Sequence, residues 1–228
     1  SGVLLAAFQS KNMKVLGIDP SSKLANVAID RGIDSIIEFF SEKLVKEILD
    51  SYGKSSIITG TNVFAHIDDL DDFMKTSDLL LVENGMIIIE APYLLHLLEN
   101  LEYDTIYHEH LSYLSVKPMV KFCKKFGFEV FDIEKQKIHG GTLRYYIGRK
   151  NTRRITQNVS NYLELEEKNK IYSKEKLLDF SKSVKHHKKT LLQLLYQLKK
   201  DGKRIVAISA PAKGNTLLNY CKIDTDIL

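Results

Sequence analysis

From Lys14 to Tyr93 the chain alternates short β-branched runs with amphipathic segments that carry their own start and stop signals, the pattern of a sheet built from crossover units. KVLGID (14–19) reads as a strand ending in an acid. PSSKLANVAIDRG then reads as a helix begun by Pro20 and Ser21 and stopped at Gly32. DSIIEFF gives a second strand and SEKLVKEILDSYG a second helix, with Ser41 at its start and Gly53 at its end. SSIITGTNVFAHI is a third strand running into a loop, DDLDDFMKTSDLLL a third helix, and GMIIIEAPY a fourth strand after the turn ENG. This succession predicts a parallel α/β core.

The unit changes character after Tyr93. A helix-like segment leads into IYHEHLSYLS, followed by the helix VKPMVKFCKKFG and two antiparallel strands, FEVFDIEKQKI and TLRYYIGRK, joined through His139, Gly140 and Gly141. Residues 1–150 therefore read as one mixed α/β domain. A lysine-rich helical connector covers 151–200, and 201–228 reads as strand, glycine-containing loop and helix, the opening of a second Rossmann-like domain.

Composition sets few further limits. Hydrophobic residues make up 44% and charged residues 27%, ordinary values for a globular chain, and no run reaches the ~20 apolar residues of a membrane span. SGVLLAAF lacks a basic flank and a cleavage pattern, so no signal peptide is read there and a cytoplasmic location is expected. Cys123 and Cys221 stand in neither a CxxC nor a Cys/His cluster, which predicts neither a disulfide framework nor a metal site. The net charge of +4 argues only weakly for an anionic partner.

Two features carry chemistry. Asp19 ends a strand before a helix start, where an α/β sheet places ligands and a carboxylate can accept ribose hydroxyls; the same residues also make an ordinary helix start. Tyr107-His108-Glu109-His110 fits no zinc-protease pattern, because Ser112 stands where HExxH needs its second histidine. Proton transfer suits it better, since a neutral imidazole commonly removes a proton from carbon beside a carbonyl. On a helix Tyr107 and His110 would share one face, and His108 would pack elsewhere.

Taken with GTNVFAHIDDLDDF, IHGGTLR and APAKGNTLLNYC, the stretch TIYHEHLSYLS resembles the adenosylmethionine-dependent sugar C-methyltransferases that act on nucleotide-linked ketodeoxysugars. The four stretches occur in that family's order from Val3 to Cys221. The resemblance implies a class I methyltransferase core with a Rossmann-like mixed sheet, a Rossmann-like domain after it and a zinc-binding domain before it. The zinc cysteines are absent from this chain, as is the cofactor's glycine motif apart from Gly2, so the first strand and its loop are expected upstream of residue 1. The resemblance also implies His110 as the catalytic base, with Tyr107, Glu109 and His66 beside it. For the cofactor it implies Asp19, Asn62 and Gly2, and for substrate His139 and Arg144. Lys213 and Asn215, in a loop entering a helix, suit a diphosphate. A nucleotide-sugar substrate and S-adenosyl-L-methionine are expected, with no metal, nucleic acid or membrane partner; the oligomeric state stays open. The alternatives are an NAD-dependent nucleotide-sugar enzyme, which would use Asp19 in the same way, and a basic nucleic-acid module built on HHKKTLLQLLYQLKK.

Overall fold

A computed structural model describes residues 2–137, 141–208 and 210–228. The chain divides into two compact units, Ser1–Ile58 with Asp69–Gly85, and Thr59–Asp68 with Met86–Leu228.

In the first unit, α1 (Val3–Gln9) precedes β1 (Gly17–Ile18), α2 (Ser22–Ile29), β2 (Ser35–Ile36) and α3 (Glu42–Tyr52). The strands pair in parallel, Gly17 with Ser35 and Ile18 with Ile36, as the crossover pattern predicts. Both helices start where hydroxyls were expected to cap them: Ser21 accepts the Leu24 N–H and Ser41 that of Leu44. Leu44, Val45 and Ile48 of α3 form a core with Leu80 of α4 (Leu70–Leu80), closed by Leu16, Ile18, Ile36 and Phe40. The apolar face of α3 thus decides which side of the helix faces the strands.

Two long strands, β3 (Ser55–Thr61) and β4 (Leu81–Pro92), join β5 (Phe128–Gln136) and β6 (Thr142–Arg149) in the order β3-β4-β6-β5. The turn expected at Glu83–Gly85 does not end a segment, because β4 runs through it. A Cβ on Gly85 would lie 2.8 Å from Leu81 Cδ2 and 3.0 Å from the Val82 carbonyl, so the glycine serves a tight passage inside the strand. Within the second unit β4 and β5 both pair antiparallel with β6, completing the mixed sheet. Ile87, Ile89 and Ala91 alternate inward beside Leu143, Tyr145 and Ile147. On β5 a bulge between Val130 and Asp132 keeps Val130 and Ile133 both buried despite their odd spacing.

Helices α5 (Leu94–Glu99) and α6 (Val116–Lys125) follow the sheet, and the expected single connector is two helices, α7 (Gln157–Lys168) and α8 (Lys174–Lys200). The break has local causes: Lys170 takes a left-handed φ of 49°, and the Ser173 hydroxyl accepts the Lys176 N–H to start α8. Leu191, Leu192 and Leu195 of α8 pack on Cys221, Ile223 and Ile227, the cysteine being the last residue of α9 (Ala212–Cys221). The strand expected before α9 is not formed at 203–208. Val206 and Ile208 are exposed there, and a strand needs a neighbour for its backbone groups.

Glu166 of α7 is fully buried and reaches the start of α6, where its two carboxylate oxygens accept the Val116 N–H (2.5 Å) and the Lys117 N–H (2.9 Å) and the Tyr172 hydroxyl donates a third bond. A side chain remote in sequence thus caps α6 in place of Ser115. Glu166→Ala is expected to lower unfolding stability by about 3 kcal/mol, read from urea denaturation, because it orphans buried donors. The Asp132 carboxylate, by contrast, accepts Ile133 N–H, Thr156 hydroxyl and Asn158 amide bonds. Burial pushes this carboxyl up, but those bonds outweigh it and hold it below the usual carboxylate range. Its contribution is therefore present above the unfolded carboxyl's pKa and lost as pH falls through the lower folded value. Asp132→Asn is expected to flatten that acid limb of the stability profile.

Candidate active site

The segment carrying Tyr107 and His110 is irregular rather than helical. A 3-10 turn at Tyr103–Thr105 opens it, and a second turn brings the His110 N–H to the Tyr107 carbonyl at 3.0 Å. This turn still unites Tyr107 and His110, ring centroids 4.3 Å apart, as their spacing predicts. His108 does not pack as expected; it is exposed. The Ala65 carbonyl anchors the far end by accepting the N–H groups of Leu111 and Ser112, which sets His66 beside His110 at 4.9 Å between centroids.

Hydrogen bonds settle the tautomers. His110 Nδ1 lies 2.8 Å from the Thr105 carbonyl, which can only accept, so Nδ1 carries the proton and Nε2 of the neutral ring holds a lone pair. The Tyr107 hydroxyl donates to that Nε2 at 3.2 Å. His66 repeats the arrangement with the Glu109 carbonyl at 2.7 Å. Nε2 of a neutral His66 is thus an acceptor, and His66 donates to an oxyanion only as an imidazolium. Glu109 contributes its backbone carbonyl, while its side chain is exposed. Burial first, and the Glu109 carboxylate second, push the Tyr107 phenol up, so Tyr107 stays a hydroxyl donor at neutral pH. A cavity of about 20 Å³, room for about one water, borders His110 among Ala65, Leu97, Thr105, Ser112 and Tyr113.

Of the residues expected to hold a cofactor, Asp19 and Gly2 belong to the first unit and Asn62 to the second. Asp19 follows β1, and its Oδ1 accepts the Ser21 N–H at 2.9 Å. Gly2 starts α1 at φ 71°, and a Cβ there would lie 2.9 Å from Ala28 Cβ. A cavity of about 330 Å³ in this unit lies at the amino ends of β1 and β2, among Leu16, Ile33, Asp34 and Tyr52, away from the end that carries Asp19. Asn62 sits at φ 54° with its N–H donating to the Glu90 carbonyl at 2.8 Å, and its buried Oδ1 has no protein partner among the described residues. An orphaned buried acceptor is a group that a bound donor can satisfy, so this residue fits a hydroxyl- or amine-bearing ligand.

The remaining expected residues divide. His139 lies outside the described residues. Arg144 faces Glu90 across β6 and β4, donating from Nε and Nη2 to Glu90 Oε2 at 3.0 and 2.7 Å, with Nη1 3.6 Å from Glu134. It neutralises a carboxylate that is 3% exposed, so its guanidinium is largely committed within the sheet. Lys213 and Asn215 occupy the first turn of α9, whereas α9 meets the histidine segment through its last turn, where Tyr220 and Cys221 contact Tyr103. Sequence reasoning missed Glu90, Thr105 and His96. Only the strand register and backbone bonding reveal the first two. The buried His96 donates from Nδ1 to the Gly141 carbonyl at 3.2 Å and explains the glycine: at φ 121°, a Cβ on Gly141 would lie 2.3 Å from that nitrogen.

The chain belongs to the methyltransferase domain family, which matches residues 1–133, and its fold is α/β with a mixed sheet. Residues 137–228 match the C-methyltransferase C-terminal domain. The C-methyltransferase NovU of Streptomyces niveus is 30% identical over 222 residues, covering 97% of this chain; the chain spans 53% of that relative's length. Solved structures with similarity include the plantazolicin methyltransferase BpumL in complex with a pentazolic desmethylPZN analog and SAH (11% identity, 65% of this chain and 74% of that one, TM-score 0.48). A SAM-dependent methyltransferase from Anabaena variabilis is 15% identical over the same shares, also at TM-score 0.48.

The Gly141–His96 contact generates a double-mutant test. Gly141→Ala is expected to destabilise by about 2 kcal/mol, and His96→Ala should relieve part of that cost, leaving about 1 kcal/mol of backbone strain. Urea unfolding of the two single variants and the double variant measures the coupling.

Proposed function

We propose that this chain carries the core of an S-adenosyl-L-methionine-dependent C-methyltransferase for a nucleotide-linked ketodeoxysugar. The observation that carries this reading is the chain from the Thr105 carbonyl through His110 to the Tyr107 hydroxyl, which leaves one imidazole lone pair beside a protonated phenol. A carbon next to a ketone becomes a nucleophile only when a base takes its proton and a donor holds the enolate oxygen.

In this reading His110 Nε2 removes the proton, breaking the C–H bond and leaving its electron pair in the enolate. The Tyr107 hydroxyl, relieved of Nε2, donates to the developing oxyanion. His66 as an imidazolium supplies a second donor, and the Glu109 carboxylate orients the sugar. Bound adenosylmethionine would supply an electrophilic methyl group; the unpartnered Asn62 Oδ1 supports a cofactor contact at Asn62, and Asp19 and Gly2 are retained as cofactor residues on the resemblance alone. Lys213 and the first-turn amides of α9, which no side chain caps, suit the nucleotide's diphosphate. Arg144 would support the substrate side through Glu90, and His139 is retained as a substrate residue on the resemblance alone. A cytoplasmic location belongs to the same proposal. No described helix is long and apolar enough to cross a membrane.

His110→Gln in the full-length protein is expected to lower methyl transfer by about 10²–10⁴-fold, the usual contribution of a general base. Calorimetric titration should show adenosylmethionine binding unchanged. Loss of cofactor binding, or retained transfer, would refute His110 as the base.

A further inference from the structure

Thr105, whose carbonyl fixes the His110 tautomer, ends the 3-10 turn Tyr103–Thr105, and this turn is held from the carboxy-terminal side of the chain. The Tyr103 hydroxyl lies 2.9 Å from Nδ1 of His187 on α8 and 3.7 Å from Sγ of Cys221 at the end of α9. The Tyr103 ring meets those of His187 and Tyr220 at 5.6 and 5.3 Å between centroids. Lys188 closes the cluster, donating from Nζ to the Tyr220 carbonyl at 2.6 Å. Tyr103, Thr105 and Cys221 are all buried. Inside the turn, the Ile106 N–H donates to the Tyr103 carbonyl and the Thr105 hydroxyl to the Glu102 carbonyl, so the anchored tyrosine and the Thr105 carbonyl move as one piece.

We infer that Tyr103 is a positioning residue, by which α8 and α9 hold the Thr105 carbonyl against His110 Nδ1 and keep Nε2 of that histidine the unprotonated nitrogen. This rests on the proposed role of His110 as base, but the tautomer it concerns can be read without turnover. Freed from His187 and Cys221, the turn shifts, the carbonyl leaves Nδ1, and the proton redistributes between the two nitrogens. A displacement of an ångström at a reacting group costs up to about a hundredfold in rate. Tyr103 itself touches no reacting atom. Its effect therefore falls on kcat and leaves substrate affinity alone.

The test compares wild type with Tyr103→Phe, which keeps the ring and removes the hydroxyl, and with His187→Gln, which keeps a hydrogen-bonding group. Histidine ¹⁵N shifts from long-range correlation spectra, with His110→Gln used to assign the signal, report the tautomer in the full chain. Tyr103→Phe is expected to lower the Nδ1–H fraction of His110, and in the full-length enzyme to reduce kcat about tenfold with KM unchanged; His187→Gln, with Tyr103 intact, should retain most of both. Unchanged His110 shifts in folded Tyr103→Phe overturn the inference, as does a loss of affinity in place of kcat. Should Tyr103→Phe fail to fold, Cys221→Ala carries the same readout: a fall in the Nδ1–H fraction supports the inference and an unchanged one overturns it. A tautomer that shifts in a protein showing no methyl transfer would sustain the positioning role and reject the proposed function.

Discussion

The cross-strand pairs of β4 with β6, from Met86 opposite Gly148 to Pro92 opposite Thr142, set where the second unit can carry polar groups. The register places Glu90 against Arg144, and a slip of one residue would turn every side chain to the opposite face. Glu90 in turn presents its backbone carbonyl to the N–H of Asn62, so the left-handed residue at the end of β3 is fixed from β4. The same pairing ends at Pro92 and Thr142, bringing the Gly141 carbonyl to the Tyr93 N–H and to His96. Gly141 and the start of α5 are thereby tied at the point where the chain leaves the sheet for the histidine segment.

Two buried carboxylates in this unit are satisfied by different means. Glu90 is neutralised by one cation, the Arg144 fork, in a geometry that a lysine could not reproduce. Glu166 takes backbone donors from the first turn of α6 and the Tyr172 hydroxyl, so a helix terminus replaces a counter-charge. Burial, and then the Glu166 carboxylate, hold the phenols of Tyr93 and Tyr145 far above the ordinary tyrosine range. Both hydroxyls lack a protein partner among the described residues, and each is a donor that cannot ionise beside the charge. The interior around α6 is therefore polar in groups yet fixed in protonation.

Legibility in the sequence followed the range of the interactions. Ser21, Ser41 and Gly53 marked helix ends correctly because caps act within three residues of the chain. The break at Lys170, the passage of β4 through Gly85 and the missing strand at 203–208 escaped because each depends on what lies opposite, which periodicity does not encode. In the site, Tyr107 and His110 were legible as residue types in a pattern and His66 only through the family resemblance, and the structure brings the three together. Glu109 was read as a carboxylate, and the structure adds its backbone carbonyl as the partner of His66; a main-chain role leaves no mark on residue identity. Arg144 was read as a substrate-side group, and its partner Glu90 is visible only in the strand register.

Main-chain acceptors explain how His66 and His110, in a segment so rich in ionisable side chains, each keep a proton on Nδ1. A side-chain partner for His110 Nδ1 would itself titrate or rotate; the Thr105 carbonyl does neither, and it is held in a turn whose own bonds are backbone or buried hydroxyl. With both imidazole protons committed to carbonyls, the two Nε2 atoms are the positions left to exchange protons, and the Tyr107 hydroxyl already occupies one of them. Any proton entering or leaving His110 therefore passes through an atom that Tyr107 guards, which couples the phenol to each protonation change at the ring.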